Sequence, residues 1–349
     1  MNEKLKLTDY SRGSGCGCKI APDVLQQILQ KTTPSQKNAK LIVGNETNDD
    51  AAVLDIGNNL ALISTVDFFM PMVNSAFDFG RIAAANAISD VYAMGGKPIL
   101  ATAILGWPIQ NLPASLASEV ISGARLVCNE ANITLAGGHS VDNLEPLFGL
   151  SVNGLTHINN IKKNNTAKNG DLLYLTKKLG VGILSSALKR EKLNENLTKN
   201  LIAQLTTLNS IGEKIGELNY VTAMTDVTGF GLIGHLIEMT ENAGLSAEIN
   251  FNAIQTIQGL EDCIAQGTIP DNLYRNWNSY EKEVENIGAF SFYPLNDPQT
   301  NGGLLIAVNP NHQSPFELFL SQNGLEEFSN PIGRIINEKD KRVIILNTK

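Results

Sequence analysis

The residues best suited to chemistry in this sequence are aspartates that stand at or near the ends of apolar segments. Asp49 and Asp50 are adjacent and lie between a polar turn and an apolar run. Two like charges about 4 Å apart repel by ~4 kcal/mol at an effective dielectric of ~20, so we expect a cation to compensate them. Single aspartates recur in similar settings, at Asp67, Asp90 and Asp226.

Together these five carboxylates predict a binding site for a hard cation that carries a phosphorylated substrate. Mg²⁺ binds carboxylate and phosphate oxygens and retains several waters, so a few aspartates from separate elements are enough. Asp90 is the most informative, because a charge in a helix that otherwise reads as buried needs a partner. An isolated aspartate near glycine more often caps a helix or a turn, so the prediction depends on the whole set.

A glycine-rich segment near the start of the chain, residues 11–19, contains Cys16, Cys18 and Lys19. No predicted strand precedes it, which argues against a dinucleotide-binding loop. Lys19 can place a point charge on a phosphate, and Arg12 and Lys19 favour a reactive thiolate nearby. A C-x-C pair can also bind a soft metal, although no Cys or His cluster elsewhere supplies the remaining zinc ligands. We predict a loop that brings a nucleophilic side chain over a site.

Two further glycine-rich stretches, residues 137–140 and 297–303, stand at the ends of predicted strands and read as tight turns. Their alternative role is a close backbone approach to a phosphate or a ribose. Asn45, Thr47 and Asn48 offer hydrogen bonds to a nucleotide in the same way. The sequence has neither a Walker A lysine motif nor the kinase glycine-loop set, so ATP chemistry would need another scaffold.

Short strands and buried helices are predicted to position these residues, in two successive groups. In the first group, strands are predicted at 41–43, 51–54, 60–66, 99–105, 133–136 and 147–155, and helices at 79–94 and 115–131. In the second, strands are predicted at 172–176, 223–225, 304–308 and 342–346, and helices at 182–188, 201–218, 231–243 and 316–323. A short amphipathic helix at 23–29 precedes both groups.

The boundary between the two groups is predicted at residues 159–169, which are polar, lysine-rich and without a periodic pattern. The chain is thus divided into an N-terminal segment (1–40), a first α+β domain (41–157), a linker (158–170) and a second α/β domain (171–349). Length alone also favours two domains over one.

Composition excludes several classes of protein. A net charge of −8 argues against a general nucleic-acid or anionic-membrane binder. No stretch approaches ~18 uncharged apolar residues, so no transmembrane helix is expected, and the polar start of the chain is unlike a signal peptide. Four cysteines in 349 residues do not make a disulfide framework, which favours the reducing cytoplasm.

Six ordered motifs stand out in the sequence: GSGCGCK (13–19), GNETNDDAA (44–52), STVDFFMP (64–71), NAISDVYAMGGKP (86–98), LAGGHS (135–140) and MTDVTGFG (224–231). In these motifs the chain resembles the selenophosphate synthetases (selenide, water dikinases), and the resemblance runs from about residue 7 to the C-terminus. The chain departs from the family at Asn301, where serine is more frequent in the turn Asp-Pro-Gln-Thr-x-Gly-Gly.

The resemblance implies the two-domain α/β (α+β) fold of the aminoimidazole ribonucleotide synthetase superfamily. It also implies a homodimer whose first domains form a shared β-barrel, with ATP and Mg²⁺ bound near the dimer interface. Residues 1–40 would then be a flexible catalytic segment and residues 41–157 the ATP- and Mg²⁺-binding dimerisation domain.

The reaction implied by the resemblance converts ATP, selenide and water to selenophosphate, AMP and phosphate, which supplies activated selenium for selenoproteins and selenonucleosides. Mg²⁺ is the implied cofactor, with K⁺ a further candidate and a selenium-delivery protein a candidate partner. By matching motif positions, Cys16 is the catalytic thiol and Lys19 the essential lysine beside it. The implied Mg²⁺ ligands are Asp50, Asp90 and Asp226. The implied nucleotide site comprises Lys19, Thr47, Asn48, Asp49, Asp67, Asp90, Gly138, His139 and Ser140, the last three being candidates to serve the partner subunit.

Two rival interpretations remain open on the sequence. One is another enzyme of the same superfamily, such as a purine-pathway synthetase or a thiamine-phosphate kinase, although these are not expected to have the Gly-Cys-Gly-Cys-Lys loop. The other is a non-enzymatic binder of soft metal or selenium through Cys16 and Cys18, which would leave five aspartates unexplained.

Overall fold

The computed structural model describes residues 5–11, 13–20, 24, 28, 38–44, 49–241 and 243–347, with the side chains of Cys16 and Cys18 outside that description. The first half of the chain forms one six-stranded sheet covered on one face by two helices. Its elements are β1 (Leu41–Val43), β2 (Ala52–Gly57), β3 (Leu60–Phe69), α1 (Ala76–Ala93), β4 (Lys97–Trp107), α2 (Ala114–Glu130), β5 (Thr134–Asp142) and β6 (Leu147–His157).

The strand order in the first sheet is β1-β2-β3-β6-β4-β5, and all neighbours are antiparallel except β4 and β5. Residues alternate between the two faces of β3 as its pleat requires. Ala61 and Ile63 are fully buried, whereas Val66 and Phe68 are about half exposed on the opposite face. One face of the sheet is therefore packed, and the other presents apolar side chains to its surroundings.

Helix α1 is the central element of the first half. Ser75 caps its start by accepting a hydrogen bond from the Asp78 N–H, and Gly95 follows its C-cap residue with a positive φ. Small side chains let it pack closely on several sides, so that Asn86, Ser89 and Asp90 are buried along with its alanines. Burying three polar groups in one helix requires partners for each of them.

The second half of the chain forms a seven-stranded mixed sheet in the order β10-β13-β9-β12-β7-β11-β8. Its strands are β7 (Leu172–Leu175), β8 (Val221–Asp226), β9 (Leu245–Asn250), β10 (Val284–Glu285), β11 (Leu304–Val308), β12 (Gly333–Asn337) and β13 (Val343–Leu346). Its helices are α3 (Val181–Lys189), α4 (Glu195–Thr206), α5 (Ile211–Gly216), α6 (Gly231–Glu241), α7 (Leu260–Ala265), α8 (Asp271–Tyr280), α9 (Phe292–Asn296) and α10 (Gln313–Gln322).

The connection between the two sheets is packed against both halves. The Lys162 ammonium donates hydrogen bonds to the carbonyl oxygens of Leu218 (2.9 Å) and Val221 (3.1 Å). Asn164 is buried, and its N–H donates to Asp49 in the first half. One continuous hydrophobic cluster also joins the first sheet and its helices to α3, α4 and α7. The two halves thus share part of one core.

Several predicted elements differ from the observed ones. Residues 137–140 lie inside strand β5 and are not a turn at its end. The single helix predicted at 201–218 is two helices, α4 and α5, separated by residues 207–210. Strands β9 and β12 were not predicted, and β3 continues two residues beyond Asp67. Most of the helix predicted at 23–29 lies outside the described residues.

Within the described ranges, none of the helices is both long enough and apolar enough to span a lipid bilayer.

Candidate active site

The aspartates of the first half meet those of the second where α1 packs against β8. Asp90 lies on α1, Asp226 ends β8, and Asp50 precedes β2. Asp90 and Asp226 are buried, at 8% and 1% exposure. Asp50 is partly exposed as a residue, but its Oδ2 is shielded from solvent. Three carboxylates predicted to share a site therefore converge on one interface between the two halves.

A hydroxyl from another element donates to each of these carboxylates. The Thr225 hydroxyl donates to Asp50 Oδ1 at 2.7 Å, across 175 residues of sequence. The Ser89 hydroxyl donates to Asp226 Oδ2 at 2.5 Å, across 137 residues. Asp90 accepts a short hydrogen bond from the Thr65 hydroxyl. These contacts fix the orientation of the carboxylates, because an aspartate whose oxygen is held has few free rotamers.

The electrostatics of this cluster are unfavourable without a cation. Burial raises the pKa of Asp50 well above its usual range, and the neighbouring Asp226 and Asp90 raise it further. The pKa of Asp90 is raised well above its usual range for the same reason, first by burial and then by Asp226 and Asp67. Burial also raises the pKa of Asp226. Without a cation, the folded chain therefore favours the protonated, neutral form of these carboxylates.

The donor set of the cluster fits a hard divalent cation such as Mg²⁺. Asp50 Oδ2 is buried and has no hydrogen-bond partner among the described residues, which is costly for a carboxylate oxygen unless a ligand completes it. Among the described residues, no group of three or more His, Cys, Asp or Glu side chains is arranged to hold a metal ion, so Asp50, Asp90 and Asp226 do not form an ion site on their own. Mg²⁺ commonly takes only one or two carboxylates, together with waters and substrate phosphates.

The segment that contains Cys16 docks beside this cluster. Residues Gly15–Cys18 form a 3₁₀ turn, and the Gly15 N–H donates to the Met70 carbonyl just after β3. Lys19 Nζ lies 3.7 Å from Asp67 Oδ1. The positive charge of Lys19 partly opposes the rise that burial causes in the pKa of Asp90 and of Asp226. Lys19 is thus close enough to both halves to act on an anion bound there.

Gly15 is required in this turn for two reasons. Its φ is +52°, a left-handed conformation that side chains disfavour. A Cβ at this position would lie 2.6 Å from Thr300 Oγ1 and 2.9 Å from Met72 Sδ. At Gly17 the nearest atom to an added Cβ would be 3.9 Å away, so that position has room for a side chain.

A hydrogen-bond relay links Asp67 to the turn at 297–303 in the second half. Asn86 donates to Asp67 Oδ2 at 2.5 Å, and its carbonyl oxygen accepts from the Asn301 N–H at 2.7 Å. The Asn301 amide donates to the carbonyls of Leu205 and Thr207 at the end of α4. Asn301 has a φ of +48°, which asparagine tolerates better than most residues. The departure from the motif at Asn301 is therefore structurally accommodated.

Lys177 strengthens the same junction. Its ammonium donates to the carbonyls of Thr207 (2.8 Å) and Asn301 (2.9 Å). Burial lowers the pKa of Lys177 to about 7, although Asp226 opposes this shift. Sequence reasoning missed Lys177, Thr65, Asn86, Ser89 and Thr225. The signal that could have found them is that they are polar residues at positions where the periodicity of the strand or helix predicts a buried side chain.

Other predicted site residues are not brought to the cluster. In the sheet, Asp67 of β3 lies opposite Leu150 of β6, which lies opposite Ala103 of β4, which lies opposite Gly138 of β5. Asp67 and Gly138 are therefore three strands apart. At a strand spacing of ~4.8 Å this separation is about 14 Å. Gly138, His139 and Ser140 are exposed on the edge strand β5. Thr47 and Asn48 lie outside the described residues, and Asp49 accepts a 2.8 Å hydrogen bond from the Asn164 N–H.

The remaining histidine and cysteine residues of interest are packed. His235 is buried, its Nε2 accepts a hydrogen bond from the Thr228 N–H, and burial lowers its pKa to about 3. Cys128 and Cys263 are buried free thiols, and burial raises the pKa of both.

The chain matches two protein-family models. The model of the N-terminal domain of AIR synthase related proteins matches residues 48–156, and the model of their C-terminal domain matches residues 168–346. Solved structures agree on the fold. Thiamine-monophosphate kinase from Stenotrophomonas maltophilia superposes with a TM-score of 0.65 at 18% identity, covering 95% of this chain and 97% of the other.

The hydrogenase maturation protein HypE in complex with ATP superposes with a TM-score of 0.64 at 17% identity, covering 98% of this chain and 94% of the other. Relatives are far closer in sequence. The selenide, water dikinase of Colwellia psychrerythraea is 50% identical over 98% of this chain and 99% of its own length. That of Yersinia pseudotuberculosis is 49% identical over 98% and 97%. The chain belongs to the selenide, water dikinase family.

Proposed function

We propose that this protein is a selenophosphate synthetase that converts ATP, selenide and water to selenophosphate, AMP and phosphate. One observation carries the proposal: Lys19, in the segment that contains Cys16, lies against Asp67 beside a buried aspartate cluster. Relatives half identical over nearly the full length bear the name of this activity. The product supplies activated selenium for selenoproteins and selenonucleosides.

In this proposal Asp50, Asp90 and Asp226 hold Mg²⁺, together with phosphate oxygens of ATP. The orphaned Asp50 Oδ2 and the raised carboxylate pKa values support this assignment. When bound, the ion neutralises negative charge on the phosphates during transfer. The hydroxyls of Thr225, Ser89 and Thr65 keep the carboxylates oriented before ATP arrives.

Lys19 and Cys16 act from the N-terminal segment. Lys19 supplies a positive charge for the phosphates, and Asp67 holds its ammonium in place between turnovers. Cys16 brings a soft thiol to the selenide, while the docked turn excludes water from the first transfer. We propose that the γ-phosphoryl passes to selenide first and that water cleaves the β-phosphoryl of ADP afterwards. Appearance of γ-labelled inorganic phosphate would contradict this order.

The nucleotide site extends across a homodimer in this proposal. Gly138, His139 and Ser140 are exposed on an edge strand, about 14 Å from Asp67 of the same chain, which suits a role toward the partner. The apolar face of the first sheet, including Val66 and Phe68, would be buried in a shared β-barrel. Thr47, Asn48 and Asp49 complete the nucleotide contacts.

The test is anaerobic AMP formation from ATP with and without selenide. Wild type should form AMP only when selenide is present, and Cys16→Ser and Asp50→Asn should lose it. Glu261→Gln, a charge removal on the exposed α7, is the matched control and should retain full activity. ADP as the final product, independent of selenide, would favour another ATP-dependent enzyme of the superfamily. Absence of any nucleotide turnover would favour the non-enzymatic binder.

Three finer assignments belong to the same proposal. K⁺ is a candidate second cation for the phosphates, the reducing cytoplasm is the compartment that suits an oxidisable selenide, and a selenium-delivery protein is a candidate partner. Potassium dependence of the AMP assay tests the first of these.

A further inference from the structure

A cavity lies next to the segment that contains Cys16. It has a volume of about 650 Å³ and opens between residues 13–17, one face of α3 and the start of α8. We call it the α3–α8 cavity. Gly17, the sequence neighbour of Cys16, is part of its lining, as are Met70 and Met72 from the chain that follows β3. None of the five site aspartates lines it.

The cavity wall from α3 is one helical face. Gly182, Ser185, Ser186 and Lys189 are spaced three, one and three residues apart, so they project to the same side. Arg190 continues this face past the end of the helix. The opposite wall is contributed by the first turns of α8, including Asp271 and Arg275.

Positive charge dominates the lining. Lys189, Arg190 and Arg275 face one carboxylate, Asp271. Lys189 Nζ donates to the Ser11 carbonyl at 3.0 Å, and Arg190 Nη1 donates to the Gly267 carbonyl at 2.8 Å. Their partners are neutral, and across the described ranges none of the three cations pairs with a carboxylate. Their charge is available to an anion.

A buried hydroxyl on the cavity wall also lacks a partner. Ser185 is 3% exposed, and its Oγ has no hydrogen-bond partner among the described residues. A buried hydroxyl without a partner is unfavourable unless a ligand completes it. Since Ser185 stands one helical turn from Lys189 on the same face, one small anion could contact both.

We propose that the α3–α8 cavity binds the chalcogen substrate, hydrogen selenide, as an anion before it passes to the Cys16 segment; this inference rests on the proposed function. Hydrogen selenide is a large, soft monoanion. The weakly hydrated guanidinium of Arg275 and the polarisable thioethers of Met70 and Met72 suit such an anion better than a strongly hydrated one. A nucleotide with its cations requires the five site aspartates, none of which lines this cavity.

The kinetic test compares Arg275→Gln and Lys189→Gln with the control Arg125→Gln, which alters an exposed residue of α2. We expect the KM for hydrogen selenide to rise about tenfold in each cavity variant, because a charge-assisted contact is lost, with kcat and the KM for ATP unchanged. Ser185→Ala should raise the same KM about threefold. An unchanged selenide KM in Arg275→Gln and Lys189→Gln would overturn the inference and leave the proposed function standing.

A binding test separates the inference from the activity. Iodide serves as the probe, because it is also a large, soft monoanion and its anomalous scattering locates it in crystals of the full chain. We expect iodide between Ser185 and Arg275 in wild type and its loss in Arg275→Gln. If wild type forms no AMP with selenide, the proposed function is wrong. The iodide experiment then tests the cavity separately, and absence of iodide from the cavity overturns the inference. Iodide in the cavity with unchanged kinetics also counts against it.

Discussion

At the scale of single residues, the site is defined by carboxylates whose charge the fold does not neutralise. Burial raises the pKa of all three carboxylates of Asp50, Asp90 and Asp226; Asp226 and Asp90 raise the pKa of Asp50 further, and Asp226 raises that of Asp90. A chain that only needed stability would replace such a cluster with neutral groups, because isolated buried charges are costly. The cluster is therefore best understood as a binding site that ligands complete. Neutralising substitutions in it should stabilise the ligand-free protein and lower its activity.

Asp50→Asn should stabilise the ligand-free protein and inactivate it. The substitution removes one of three mutually repelling groups and keeps an acceptor for the Thr225 hydroxyl. We expect the unfolding temperature to rise by ~3 °C, equivalent to about 1 kcal/mol, and selenide-dependent AMP formation to fall at least ~100-fold. Calorimetry without nucleotide and the AMP assay measure the two effects. Asp262→Asn, on the exposed surface of α7, is the control, and a destabilised but active Asp50→Asn would contradict the argument.

Glu238 predicts the pH dependence of stability. Burial raises its pKa to about 8 from an ordinary 4.5, so the folded state holds a proton that the unfolded state has released. Stability associated with Glu238 is therefore present below about pH 4.5 and is lost as the pH rises toward 8. Neighbouring His235 has the opposite effect below about pH 6.5, because burial lowers its pKa from 6.5 to about 3 and only the unfolded state then binds the proton.

Glu238→Gln should flatten this part of the stability profile. Between about pH 5 and pH 8, the unfolding temperature of wild type should fall by roughly 3 °C more than that of the variant. Glu119→Gln changes an exposed residue of α2 that is not among the causes of the Glu238 shift, and it should follow wild type. Parallel profiles for wild type and Glu238→Gln, measured by calorimetry, would refute the assignment.

At the scale of elements, the position of the reactive groups depends strongly on short segments of the chain. The 3₁₀ turn Gly15–Cys18 is held against the end of β3 by one backbone hydrogen bond, and this contact sets where Lys19 reaches Asp67. Helix α1 has a comparable role, because Asn86, Ser89 and Asp90 lie on one part of its buried surface. A local change in the turn should therefore affect activity without unfolding either sheet.

The two glycines of the turn should respond differently to the same substitution. Gly15→Ala places a methyl group 2.6 Å from Thr300 Oγ1 at a positive φ, so the turn must move away from β3. We expect kcat/KM for AMP formation to fall ~30-fold, about 2 kcal/mol, with little change in unfolding temperature. Gly17→Ala has 3.9 Å of clearance and should remain within ~3-fold of wild type. Equal effects at both positions would be inconsistent with a docked turn.

At the scale of the whole molecule, the exposed apolar face of the first sheet is the surface through which we propose that the homodimer forms. Val66, Phe68 and Val141 are 52%, 51% and 57% exposed in the single chain. Apolar exposure of this kind on a sheet is a mark of an interaction surface. The proposed nucleotide contacts from β5 would be separated from the aspartates without a second chain, so assembly and activity should be lost together.

Phe68→Glu should dissociate the proposed homodimer. A charge on the face assigned to the proposed shared barrel would be buried without a partner in the dimer, which is expected to cost ~3 kcal/mol or more. Sedimentation at micromolar concentration should show a dimer for wild type and a monomer for Phe68→Glu, with AMP formation reduced at least ~30-fold. Leu318→Glu, at 57% exposure on α10, is the matched control and should stay dimeric. A monomeric wild type would refute the dimer.

Much of the fold was accessible from local pattern. The buried helix around Asp90 was predicted from small and apolar residues on several faces, and its end from Gly95 and Gly96. Prediction failed where pairing overrides local preference. Gly137 and Gly138 read as a turn, yet both lie in β5, where a Cβ at Gly138 would collide with the Ala103 carbonyl of β4. The glycine there permits close strand pairing, which no local pattern encodes.

By itself, the sequence determined which chemical groups are present and on which kind of element each one lies, because periodicity and turn residues act over a few positions. It thereby predicted the aspartates, the thiol segment and Lys19. Only the tertiary structure decided which groups meet. The contacts of Thr225 with Asp50 and of Ser89 with Asp226 join residues more than a hundred positions apart, and such pairs depend on the path of the whole chain rather than on local preference.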